Sequence, residues 1–221
     1  MATKSKIFYS DVYKKLEKGI VDFLSKQKSF LSPRTVNSPR AVGDAIQDVL
    51  AENFDKILGN LSVEYSPNFA RRAMADLAFK DKDDFYYIID VKTHRLDSDF
   101  NMPNLTSVER LSRFYEDDKN YFVVLKIDYE IKGTKVFFKK AMFVPIEFVA
   151  WNCLTLGALG WGQIQIANSN NVNVVSKNSR KKWMLELCDR LFEFYPREIG
   201  KINDRIVRFK DVRKFWEGKK E

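Results

Sequence analysis

The chain has 221 residues, 45% of them hydrophobic and 14% aromatic, which is enough apolar material for a sizeable core and excludes a disordered tail. Lys and Arg number 38 against 30 Asp and Glu, a net charge of +8, so the field favours polyanions and makes nucleic acid the leading partner. A single histidine, His94, and two cysteines, Cys153 and Cys188, exclude a histidine-rich zinc site and a disulfide framework, and both thiols are expected to be buried and reduced.

Residues 1–5 hold no apolar signal region, and no stretch approaches the ~20 apolar residues of a membrane span, so a cytoplasmic protein without a membrane partner is expected. Val12, Leu16, Ile20 and Phe23 share one face at helical spacing and predict an amphipathic helix over residues 6–26. A polar, proline-bearing stretch over 32–40 ends it. A second helix is predicted over 40–58, with an apolar stripe from Val42 to Ile57 and a polar face holding Asp44, Gln47 and Asp48. Short runs rich in β-branched and aromatic residues then predict strands at 63–65, 74–79, 85–91, 121–129 and 136–144. Between the third and fourth, Val108, Leu111 and Phe114 predict a helix over 107–115 that covers the sheet.

Further on, Trp161, Gln163 and Gln165 alternate with Gly162, Ile164 and Ile166 as a strand does, and an Asn-rich loop follows. Residues 179–195 predict a helix that Pro196 interrupts, and the very basic remainder is expected to be helical. With no repeat or linker, the expectation is one α/β domain. Residues 1–39 form its first helix and connection, 40–195 the catalytic core and 196–221 a basic tail; the first helix or the helix from Ser107 is the candidate dimer contact.

The chemistry concentrates in the strand at 85–92. Side chains alternate along it, so Ile88, Asp90 and Lys92 share a face. The preceding strand carries Asp76, and the short polar connection 80–84 suits a hairpin. Asp76 opposite Asp90, or opposite Ile88, brings two carboxylates and an ammonium within about 8 Å. Two carboxylates so placed repel and need a cation, and oxygen donors suit Mg²⁺. Asp76, Asp90 and the Val91 carbonyl would hold it, and Lys92 would orient or deprotonate the attacking water. An isolated Asp-X-Lys is common by accident and can be a strand-end ion pair; its setting in this basic chain sets it apart.

This arrangement resembles the PD-(D/E)XK nucleases, with Asp76 as the lone acidic residue and Asp90-Val91-Lys92 as the following motif, although Ala75 stands where proline is expected. The run from Ile89 to Thr93, then Met102-Pro103-Asn104-Leu105 and Gln163-Ile164-Gln165, is similar to the blunt-cutting type II restriction endonucleases of the HincII/EcoRV-like group. The resemblance implies a restriction-endonuclease-like mixed β-sheet flanked by α-helices. It also implies Mg²⁺-dependent hydrolysis of double-stranded DNA at a short, palindromic sequence, leaving 5′-phosphate and 3′-hydroxyl ends, by a homodimer.

The same resemblance makes Thr93, Asn101 and Asn104 candidate DNA contacts beside the site, and Asp44 a candidate additional metal ligand. Asn can pair bidentately with adenine, yet Asn and Pro are equally ordinary turn residues. Gln163 and Gln165 are either further contacts or polar surface. Lys177, Arg180, Lys181 and Lys182 can neutralise phosphates or be solvated helix start. The glycines at 157, 160 and 162 have the wrong spacing for a dinucleotide or phosphate loop and predict a tight turn, so no nucleotide cofactor is expected. The alternatives are a repair or junction-resolving nuclease with the same metal site, and a nucleic-acid-binding protein without catalysis.

Overall fold

A computed structural model describes residues 4–27, 38–65, 75–133 and 135–220, and the chain divides into two compact units, residues 1–178 and 179–221. The first is α/β. Its N-terminal helical region is broken into α1 (Lys6–Tyr9) and α2 (Val12–Ser25) rather than one continuous helix. The Ser10 hydroxyl donates to the Lys6 carbonyl, which closes α1 locally before Asp11 starts α2. Helix α3 (Pro39–Leu58) starts where Ser38 accepts from the Ala41 amide and Pro39 takes the first turn, and it stops at Gly59, whose φ is 51°. Its buried stripe is Val42, Ile46, Leu50, Phe54 and Leu58. Most of the expected connection at 32–40 lies outside the described residues.

The main sheet has the order β1-β2-β3-β5-β6, built from β1 (Ser62–Tyr65), β2 (Leu77–Asp81), β3 (Tyr86–Arg95), β5 (Asn120–Lys132) and β6 (Lys135–Pro145). Only β3 and β5 are parallel, so the sheet is mixed. A parallel pair needs a crossover, and here it passes through β4 (Asn104–Ser107) and α4 (Val108–Phe114), which Ser107 caps. A second sheet, β4-β8-β7, pairs β4 with β8 (Gln163–Ile166) and β8 with β7 (Leu154–Gly157). The tight turn expected between Gly157 and Gly162 is this β7–β8 hairpin, with Gly160 and Gly162 at φ of 59° and 121°.

The core is aromatic. Phe8 lies 5.5–5.8 Å, ring centre to ring centre, from Tyr87, Tyr121 and Phe143, and Phe79 stacks on Tyr87 at 4.4 Å. The Tyr87 hydroxyl is satisfied by the Asp81 carboxylate at 2.6 Å and Ser5 at 2.7 Å.

The second unit is one helix, α5 (Arg180–Glu217), of 38 residues capped by Ser179. It runs through Pro196 without interruption, because a long helix survives the loss of one backbone hydrogen bond when its flanks are otherwise intact. Among the described residues no helix is long and apolar enough to cross a membrane.

Candidate active site

Strand β3 has neighbours on both edges, so its middle is shielded: Ile88, Ile89, Asp90 and Val91 are all buried. An aspartate in that run loses its water, which penalises its charged form. The β2–β3 register sets Leu77 against Ile89; continued one residue, it sets Asp76 against Asp90, the first of the two expected registers. Asp76 itself stands just before β2 in a bend, with its amide donating to the Ile89 carbonyl at 2.9 Å.

Both Asp76 oxygens are held. The Val91 amide donates to Oδ2 at 2.7 Å, and the Gln47 side-chain amide of α3 donates to Oδ1 at 2.5 Å. Asp90 is held on one side only: Lys92 Nζ donates to Oδ1 at 2.7 Å, while Oδ2 is buried with no hydrogen-bond partner among the described residues. Burial pushes the Asp90 carboxyl up to about 7, Lys92 pulls it down, and Asp76 raises it further. A buried carboxylate oxygen that lacks a partner near a second carboxylate is costly, and a proton or a cation relieves that cost.

Asp76, Asp90 and Lys92 are therefore brought together. Asp44 is not joined to them: it is exposed, and among the described residues no group of three or more His, Cys, Asp and Glu is arranged to hold a metal. Gln47, three residues on, is the α3 side chain that reaches the site. Its place on the polar face of the helix was the only available signal. Thr93 meets α3 so closely that a Cβ on Gly43 would lie 2.8 Å from its Oγ1, so Gly43 is what lets the helix approach the end of β3. In the parallel register Lys126 lies beside Lys92; it is buried and ion-paired to Asp128.

The expected DNA contacts sit on and around the second sheet. Asn104 belongs to β4 rather than to a loop, paired in register with Gln165 of β8, and the Gln165 amide donates to Asn104 Oδ1 at 2.5 Å. Gln163 pairs with Ser107 and Gly157. The Asn101 carbonyl accepts from Ser169, and Asn170 bonds His94 and the carbonyls of Ser98 and Asp99, which ties down the chain after β3. Lys177 is exposed with a φ of 61° in the first unit, whereas Arg180, Lys181 and Lys182 occupy the first turn of α5. Cys153 is buried as expected, but Cys188, on α5, is exposed.

No protein-family model matches the chain, and none of the curated proteins compared with it matches either.

Proposed function

We propose that the protein is a Mg²⁺-dependent DNA endonuclease of the PD-(D/E)XK type, with a restriction-endonuclease-like fold and sequence-specific cleavage of duplex DNA. The observation that carries this reading is the buried, unpartnered Asp90 Oδ2 opposite Asp76, with Lys92 adjacent. Support for the fold is the mixed five-stranded sheet with its β3–β5 crossover.

Asp76, Asp90 and the Val91 carbonyl would hold the cation, whose oxygen-only ligand preference they fit. When bound, Mg²⁺ supplies charge neutralisation at the scissile phosphate and makes water more acidic. The protein's own part is distinct. Gln47 and the Val91 amide fix Asp76 in place, so its orientation does not have to be won during the reaction. Lys92, held beside the carboxylates by its ion pair with Asp90, would orient water and balance charge developing on phosphorus. Thr93, Asn101, Asn104, Gln163 and Gln165 are the proposed duplex contacts, Lys177, Arg180 and Lys181 the phosphate contacts, and a homodimer would match a palindromic target.

The test is digestion of a long defined duplex with Mg²⁺, with fragment ends mapped for wild type and Asp90→Ala. Discrete fragments with 5′-phosphate ends, lost in the variant, support the proposal. Cleavage confined to branched or damaged substrates moves the reading to a repair nuclease. Binding without cleavage moves it to a DNA-binding protein.

A further inference from the structure

Helix α5 carries a heptad. Leu185, Phe192, Ile199 and Ile206 recur every seven residues, and Tyr195, Ile202, Phe209 and Trp216 recur likewise three positions further along. All eight are exposed, between 37% and 72%. Two interleaved seven-residue series form the seam of a coiled coil, and this one runs for about 48 Å at the helical rise. An apolar seam so exposed on a charged helix marks a surface for another chain.

We infer that the partner is α5 of a second copy, running antiparallel, with Leu185 of each chain against Trp216 of the other. The geometry needs no assumption about the reaction. In this register every seam position meets its complement: Phe192 meets Phe209, Tyr195 meets Ile206, and Ile199 meets Ile202. The two seam positions that are not large and apolar, Cys188 and Arg213, fall opposite each other. Antiparallel helices set like flanking positions face to face, and the pairs that result are Asp189 with Lys210, Pro196 with Asn203, Glu198 with Arg205, and Leu191 with Val212, each occurring twice.

The other registers fail on charge. A shift of one heptad sets Arg205 against Arg205 and Asp189 against Glu217; the opposite shift sets Glu198 against Glu198. A parallel pair in register buries Arg213 on Arg213 and lays Arg205 beside Lys210. Pro196 sits on the flank of the seam, where its missing amide does not interrupt packing. Four aromatic and four aliphatic side chains per copy, roughly half exposed at present, supply about 1,000 Å² or more of buried area, which a specific interface requires.

Sedimentation equilibrium of the full chain under reducing conditions at about 50 µM, a concentration at which a micromolar dimer is nearly saturated, should give twice the 25.9 kDa chain mass. Ile199→Asp with Ile202→Asp should raise the dissociation constant about 100-fold or more, while Val207→Asp, outside the seam, should leave it unchanged within about twofold. Circular dichroism confirms that each variant remains helical. Asp189→Lys should weaken the dimer about 5- to 20-fold, and Lys210→Asp added to it should restore it, since the pair recurs twice. Under mild oxidation Arg213→Cys should form a disulfide-linked dimer through Cys188, which Cys188→Ser abolishes. A monomeric wild type, a dimer untouched by the two Ile substitutions, or a Cys188–Cys188 link in the wild type would each overturn the inference.

Discussion

Replacement of Asp90 by Asn should stabilise the metal-free protein at alkaline pH, which is unusual for a change at a buried polar residue. The Asp90 carboxyl, ordinarily near 3.8, is pushed up to about 7 by burial, partly offset by Lys92. The folded protein thus keeps a proton that the unfolded chain has released, so stability falls as pH rises from about 4 through about 7 and stays reduced above it. The gap between those values corresponds to about 4 kcal/mol. Lys92 is itself 24% exposed and can follow the carboxylate into water, so about 2–4 kcal/mol is expected. Asn carries neither proton nor charge. Urea unfolding followed by tryptophan fluorescence in EDTA should find Asp90→Asn more stable than wild type by that amount near pH 8.5, and equal to it near pH 3.5. Millimolar Mg²⁺ should recover stability at pH 8.5 in the wild type only. A difference that does not change with pH, or a variant less stable than wild type throughout, would refute the reasoning.

Three further outcomes are expected. Lys92→Ala should lower Mg²⁺-dependent cleavage by about 10²-fold or more while duplex binding measured by fluorescence anisotropy changes little, because the ammonium acts on reacting atoms. Gln47→Ala should cost about 1 kcal/mol in urea titrations and slow cleavage about tenfold, whereas Asp44→Ala should leave both unchanged, because of these two α3 side chains it is Gln47 that bonds Asp76. Asn104→Ala should cost less than about 1 kcal/mol of stability, since the amide pair with Gln165 is exposed; mapped cleavage sites should then broaden at one base pair, which is what loss of a base contact does.

Strand β3 and the helices around it were legible because each presents a strong period over many residues, and strand alternation with the short hairpin connection brings Asp76, Asp90 and Lys92 near one another in either of two registers. Strands β4 and β7 were not. Each has four residues of mixed polarity, and each exists only because β8 pairs with both, a non-local fact that no window of the sequence contains. The choice between Asp44 and Gln47 was hidden for a related reason: both lie on the polar face of α3, and only the rotation of the helix against the sheet, set by the close approach at Gly43, decides which reaches Asp76. Pro196 misled because its local cost is real but small against a 38-residue helix. The buried state of Asp90 Oδ2 depends on what packs around β3 from distant parts of the chain, and this is the observation that turns a common tripeptide into a candidate cation site.

The most direct test of the central claim is nicking of supercoiled plasmid by purified protein, with Mg²⁺ or EDTA, for the wild type, Asp90→Ala and Lys92→Ala. The account predicts open-circular and linear DNA for the wild type with Mg²⁺, none with EDTA, and losses of at least about 10²-fold in both variants. Equal nicking by wild type and Asp90→Ala, or cleavage that persists in EDTA, would contradict it.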